Sequence, residues 1–130
     1  MNFAVQKKWR DRCMTYPNIM FGQALRKARA RAKKRSIPFE ITKDYILGIF
    51  DSQGGKCYYS GLDMNIVKKD ANDLMDPMKM TIDLKDHRLG YIPGNVVWCA
   101  YCINSMKQRM ASKQMISICN SIVSNSSNIL

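Results

Sequence analysis

The sequence predicts an α+β fold in which several helices surround one pair of short strands. Residues 80–86 alternate apolar and polar side chains, as a half-buried strand does, and residues 95–99 form a second β-rich run. Residues 18–36 and 43–53 instead repeat apolar side chains every three or four positions, which is the spacing of a helix face. The chain has 130 residues, 46% of them hydrophobic, so it can build one domain with a modest core.

Positive charge is concentrated at one end of the chain. The formal net charge is +11, from 21 Lys and Arg against 10 Asp and Glu. Residues 1–36 contain eleven basic residues and a single acidic one, whereas residues 37–130 are nearly neutral. This asymmetry is typical of a protein that binds a polyanion, most often nucleic acid, and it argues against a neutral metabolic role. We therefore predict a basic helical arm, 1–36, attached to a compact body, 37–130.

The helix predicted over residues 18–36 is the expected phosphate-binding element. Phe21, Leu25, Ala28 and Ala32 form a thin apolar stripe, so light docking onto the body is expected. The predicted DNA-binding residues on the remaining surface are Arg26, Lys27, Arg29, Arg31, Lys33, Lys34 and Arg35. A solvated face without a partner is the plainer alternative. A membrane surface is disfavoured because the stripe lacks the bulky side chains that insert into lipid.

The helices on either side of the strand pair have recognisable boundary residues. Pro38 ends the basic helix, Thr42 caps the helix over residues 43–53, and Gly54 follows its end. Residues 62–79 are polar, lack a clear period and are expected to form a loop.

Two further helices are predicted after the second strand. The first runs from about 100 to 110, with Ile103, Met106 and Met110 on its core side. Ser112 is the expected cap of the last helix, which presents Met115, Ile118, Cys119 and Ile122 on one face.

The strand–loop–strand–helix segment carries the most specific signal in the chain. Residues 81–107 read T-I-D-L-K-D-H-R-L-G-Y-I-P-G-N-V-V-W-C-A-Y-C-I-N-S-M-K. This segment resembles the core of the HNH (ββα-metal) endonucleases, in the homing-type branch associated with phages and introns. The residues that match the pattern of that branch are Asp83, Asp86, Gly90, Tyr91, Asn95, Val96, Asn104 and Lys107. The resemblance covers about residues 20–112 and implies that 37–130 form an HNH nuclease domain with a ββα-metal core.

The resemblance implies a metal-dependent endonuclease that hydrolyses phosphodiester bonds in double-stranded DNA. Asp83 and Asn104 would be the ligands of Mg²⁺ or Mn²⁺, and their oxygen atoms are of the kind that hard cations prefer. Asn95 would brace the loop between the strands. Lys107 lies one helical turn after Asn104 and is expected to hold an adjacent phosphate.

One position departs from the family pattern and leaves the general base open. The family has His, or often Arg in this branch, directly after the first Asp, whereas this chain has Leu84. His87 is the first candidate for a substitute, because imidazole titrates near neutral pH. Tyr59 is the second, as a phenol near the metal or a phosphate. Metal-activated water without a strong protein base is a further possibility, and a catalytically inactive DNA-binding module is the alternative reading of the whole chain.

Structural zinc is not expected, although related proteins often carry two CxxC pairs. Cys57 is followed by Ser60 in place of a second thiolate, and the pair Cys99 and Cys102 is out of phase with the family pattern. The N-terminal residues contain no apolar run of signal-peptide length, so the predicted location is the cytoplasm, with no membrane partner. No motif indicates the oligomeric state.

Overall fold

The computed structural model describes residues 17–65 and 76–130, with side chains from residue 21 onward. Residues 1–16 of the predicted basic arm and residues 66–75 of the predicted 62–79 loop lie outside this part of the chain. The described elements are helices α1 (Pro17–Arg35) and α2 (Lys43–Gln53), strands β1 (Met80–Leu84) and β2 (Val96–Ala100), helices α3 (Tyr101–Lys107) and α4 (Ser112–Ser124), and a 3₁₀ turn over Ser126–Asn128. The fold is mixed α+β, as predicted.

The two strands form an antiparallel pair that leads directly into a helix. The register runs from Met80 opposite Ala100 to Leu84 opposite Val96. Helix α3 begins at the residue after β2, so it packs back across both strands. The order strand, strand, helix therefore places the middle of β1 against the buried side of α3.

Three aromatic rings from three elements form the centre of the core. Phe21 of α1, Phe50 of α2 and Trp98 of β2 meet edge to face, with ring centroids 5.2 to 5.9 Å apart. Trp98 also donates its indole N–H to the carbonyl of Ile46 at 2.8 Å. Helix α1 is therefore anchored in the core, and the light docking expected from its thin stripe is wrong.

The boundaries of the first two helices agree with the residues that predicted them. Helix α1 ends at Arg35, just before Pro38, and Ser36 turns the chain with a φ of 55°. Thr42 accepts a hydrogen bond from the backbone N–H of Tyr45 at 3.2 Å, which caps α2. Gly54 ends α2 in the left-handed conformation that glycine adopts without strain.

The third helix is shorter than predicted. It ends at Lys107 rather than near residue 110, because Gln108 adopts a φ of 48° and redirects the chain. Met106, predicted on the core side, is exposed, whereas Lys107 is fully buried. The short helix thus faces β1 with Asn104 and Lys107, a polar side that apolar periodicity could not identify.

The last helix also differs from its prediction. Ala111 occupies the cap position of α4 and Ser112 is the first helical residue, so Ser112 does not cap it. Only Met115 of the predicted apolar face is buried, while Ile118 and Ile122 are exposed. Over residues 17–65 and 76–130, no helix combines the length and apolar character that crossing a bilayer would require.

Candidate active site

Some of the predicted site residues meet in a cleft between β1, α3 and the end of α1. The cleft has a volume of about 490 Å³. Three of the predicted catalytic residues line it, Asp83, His87 and Asn104. Arg31 and Arg35 of the basic helix line the same cleft. The tertiary structure therefore joins the predicted metal site to part of the predicted DNA-binding helix.

Asp83 occupies the middle of β1 with its carboxylate almost fully buried, at 4% exposure. One oxygen, Oδ2, accepts a hydrogen bond from the Tyr59 hydroxyl at 2.8 Å and an ion-pair contact from Lys107 Nζ at 3.0 Å. The other oxygen, Oδ1, faces His87 Nε2 at 4.0 Å, which is too long for a hydrogen bond. Within the described residues, Oδ1 is thus the carboxylate oxygen left without a donor.

Asn104 is fixed against β1 by its amide nitrogen. Its Nδ2 donates to Thr81 Oγ1 at 3.0 Å and to the Ile82 carbonyl at 3.3 Å. Since the nitrogen is held by the strand, the amide oxygen of Asn104 is left without a donor in the described part of the chain. Thr81 was not predicted as a site residue, although the two-residue alternation of a strand places it on the same face as Asp83.

His87 lies in the turn after β1, and the turn folds its ring back beside Asp83. Both imidazole nitrogens are buried and neither has a hydrogen-bond partner within the described residues. Burial, followed by the nearby positive charge of Lys107, lowers the pKa of His87. The charge of Asp83 and the nearby backbone of Gln108, which lies short of hydrogen-bond geometry, offset this only in part. The imidazole is therefore neutral near pH 7, with one nitrogen able to accept a proton.

Asn95 braces the turn that carries His87. Its Nδ2 donates to the carbonyls of Asp86 and Gly90, both at 2.8 Å, and its Oδ1 accepts from the N–H of Asp86 at 2.9 Å. These three hydrogen bonds hold the turn between the strands, which is the kind of contact that the family resemblance implies for Asn95. Asn95 does not line the cleft, so it acts as a positioning residue and not as one that touches a substrate.

Gly90 lets the same turn pack against the segment that follows α1. Its φ is 77°, and a Cβ at this position would lie 2.8 Å from atoms of Pro38. Tyr91 next to it donates its N–H to the Pro38 carbonyl at 2.8 Å. The close approach explains why this turn needs glycine, and it joins the turn to the end of the basic helix.

The structure contradicts the predicted phosphate contact of Lys107. Its side chain is 0% exposed, and Nζ donates to the Leu84 carbonyl at 3.1 Å while pairing with Asp83. A fully buried ammonium cannot reach a phosphate outside the protein. Lys107 lies on the Asn104 side of α3, as predicted, but that side faces β1 and not the surface.

Tyr59 reaches the site from behind Asp83 and does not line the cleft. Burial and then the hydrogen bond to Asp83 raise the pKa of its phenol well above the ordinary range. The phenol therefore keeps its proton and donates a hydrogen bond to the carboxylate of Asp83. This geometry gives Tyr59 a positioning role and argues against it as a general base.

The basic helix divides its cations between the cleft and the remaining surface. All seven of its predicted DNA-binding residues are exposed. Arg31 and Arg35 line the cleft, whereas Arg29 lies over the Phe39 ring at 5.2 Å. Arg109 also lines the cleft, although no motif marked it, because the unusual turn at Gln108 brings it there.

The three cysteines considered for zinc lie in different environments. Cys57 and Cys99 are buried and Cys102 is exposed. Burial raises the pKa of Cys99 to about 12, so this sulfur carries its proton at neutral pH. In the described ranges, no three His, Cys, Asp or Glu side chains group closely enough to hold a metal ion.

The oxygen donors of the cleft suit a different kind of metal. Mg²⁺ needs few protein ligands, since it retains waters and takes phosphate oxygens from a substrate. Asp83 and Asn104 both line the cleft and offer carboxylate and amide oxygens, which are the ligands that such an ion takes, and the His87 ring lies beside Asp83. Comparisons with protein-family models, curated proteins and solved structures each find no match. The geometry of the cleft is thus the basis for assigning a function.

Proposed function

We propose that the chain is a metal-dependent DNA endonuclease with a ββα-metal (HNH) core. The observation that carries the proposal is the meeting of Asp83, His87 and Asn104 in one cleft beside Arg31 and Arg35. A carboxylate, an amide and a neutral imidazole are the groups needed to hold a cation and accept a proton. The arginines are placed to bind the phosphates of a nucleic acid.

In this proposal, Asp83 Oδ1 and Asn104 Oδ1 would hold Mg²⁺ or Mn²⁺. When bound, the ion would stabilise the negative charge that develops on the leaving oxygen of the phosphodiester. Lys107 and Tyr59 keep the second Asp83 oxygen occupied, so Oδ1 is the oxygen of this carboxylate that would bind the ion. Thr81 holds the amide nitrogen of Asn104, so the amide oxygen is the atom that would bind the ion.

His87 would accept the proton of the attacking water. Its unpaired nitrogens and its place beside Asp83 support this role, and they compensate for Leu84 at the usual base position. Asn95 would act indirectly by holding the turn in the conformation that brings the ring back to the site.

The test is nicking of supercoiled plasmid with Mg²⁺ or Mn²⁺, compared with the same reaction in EDTA. His87→Ala should slow cleavage by roughly 10²- to 10⁴-fold, the range for loss of a general base. Asp83→Asn should abolish cleavage. Asp63→Asn is the matched control, because that carboxylate is exposed and pairs only with Lys56 among the described residues.

A DNA-binding module without turnover is the second candidate function. The observation in its favour is Leu84, which is 2% exposed and offers no proton acceptor where the family pattern has one. Duplex binding by the wild-type protein without nicking under either metal would support this candidate and reject the endonuclease.

A further inference from the structure

The candidate active site is the middle of a longer groove that follows β1. A second cleft of about 230 Å³ adjoins it and shares Arg31 and Tyr101 with it. A third cleft, of about 280 Å³, adjoins the opposite side and shares His87 and Arg109 with the first. Because each of these two clefts shares lining residues with the first, the three lie side by side along β1, and we name them together the β1 groove.

Two lysines mark the extent of the β1 groove. Lys79, immediately before β1, lines the second cleft, and Lys85, immediately after β1, lines the third. Six residue steps in an extended strand span about 20 Å. Asp83 lies between the two lysines, so positive side chains are present on both sides of the candidate metal site.

The charge of the groove suits a nucleic-acid backbone along its whole length. Lys79 and Arg31 stand on one side of Asp83, and Lys85 and Arg109 on the other. The acidic groups among the described lining residues are Asp83 and Asp86. Lys107 pairs with the first, and the Arg88 guanidinium pairs with the second at 2.9 Å. Neither carboxylate therefore opposes a phosphate with an uncompensated charge.

We propose that the β1 groove holds one strand of a DNA duplex, with its backbone passing across Asp83 from Lys79 to Lys85. The assignment of the ligand as DNA rests on the proposed function. Lys79, Lys85 and Arg109 thereby become phosphate contacts outside the basic helix.

The groove can be tested by binding alone, in EDTA, with the full chain. Fluorescence anisotropy of a labelled 20-base-pair duplex would compare Lys79→Gln/Lys85→Gln with Lys33→Gln/Lys34→Gln. Each double substitution removes two positive charges, but Lys33 and Lys34 line none of the three clefts. The groove pair should weaken binding about tenfold more than the helix pair and lower the salt slope by about two, one for each lost phosphate contact.

Equal losses of DNA affinity in the two double variants would contradict the proposal that the β1 groove binds DNA. Thermal unfolding of each variant shows whether it is folded, and Arg109→Gln against Arg26→Gln repeats the comparison with single exposed residues. The result is separable from the proposed nuclease activity. A larger effect of the groove pair in a protein that does not nick plasmid would retain the groove and reject the nuclease. A protein that nicks plasmid but whose DNA binding is weakened equally by the two pairs would retain the nuclease and reject the groove.

Discussion

At the scale of single residues, the most informative feature is the unequal use of the two Asp83 oxygens. Oδ2 is held by Lys107 and Tyr59, whereas Oδ1 has no hydrogen-bond donor among the described residues and lies 4.0 Å from His87 Nε2. A buried carboxylate is costly unless it is paired, and Lys107 supplies the pairing charge. The same contact that makes burial tolerable also fixes which oxygen is available to a cation.

The first prediction concerns this buried ion pair. Lys107→Met should lower the free energy of unfolding by about 3 kcal/mol or more, because it leaves the Asp83 charge buried without its cation. Lys56→Met is the control, since Lys56 and Asp63 form a pair of similar length with exposures of 48% and 65%. That change should cost less than about 1 kcal/mol. Urea unfolding measures both, and equal losses would contradict the role given to burial.

The second prediction is a pH dependence at the turn that carries His87. Arg88 hydrogen bonds hold the pKa of Asp86 at about 2, below its ordinary value. A carboxyl with a lowered folded-state pKa adds stability above its unfolded pKa and loses it as the pH falls through the folded value. The urea midpoint advantage of wild type over Arg88→Gln should therefore shrink between about pH 4 and pH 2. An advantage that is unchanged at pH 2 would contradict this.

At the scale of elements, helix α1 packs into the core and also places cations at the cleft, and different residues of the helix do each. Phe21 places one end in the aromatic core, and Ala28 and Ala32 continue the buried stripe. Arg31 and Arg35 each lie three residues after a buried alanine, so they flank the stripe and reach the cleft beside it. The basic helix is therefore part of the folded body and not a removable arm.

The third prediction follows from that anchoring. Phe21→Ala should destabilise the protein by about 3 to 5 kcal/mol, because it removes a fully buried ring from a three-ring cluster. Ile116→Ala, at a position of α4 that is 57% exposed, should stay within about 0.5 kcal/mol of wild type. Thermal or urea unfolding distinguishes them, and a small loss for Phe21→Ala would mean that α1 docks only lightly.

The fourth prediction separates the cations of α1 by position. Arg31→Gln/Arg35→Gln should lower kcat/KM for plasmid nicking by roughly 10- to 100-fold, through loss of charge-assisted hydrogen bonds at the cleft. Lys33→Gln/Lys34→Gln removes the same charge from the same helix without touching the cleft and should lower it by less than about threefold. Similar losses in both pairs would show that only total charge matters.

At the scale of the whole molecule, the formal charge of +11 favours association with polyanions such as the proposed DNA substrate. The fifth prediction is a steep salt dependence. If six or more phosphates are contacted, affinity for duplex DNA should fall by about 10³-fold or more between 50 and 200 mM salt. Competition with structured RNA in the same titration tests the partner, and preference for RNA would contradict a duplex-DNA enzyme.

Much of the fold could be predicted because its signals are local. Helical periodicity located α1 and α2, Thr42 and Gly54 marked the ends of α2, and alternation located β1. The wrong predictions concern positions where contacts between residues distant in sequence outweigh the local pattern of apolar and polar side chains. Lys107 is charged yet buried, since its partner Asp83 comes from a strand 24 residues earlier in the chain. Spacing along α3 alone could not show which of its sides faces that strand.

The sequence by itself determined the types of group available to the site: a carboxylate, an amide, a single histidine and a row of cations. It also determined their order along β1, the turn and α3, because strand and helix periods are set by the backbone. Only the tertiary structure decided that His87 folds back beside Asp83 and that Arg31 and Arg35 stand at the same cleft. Those positions depend on the packing of the turn against Pro38 and on the contact of Phe21 with Trp98, and both join residues far apart in the chain.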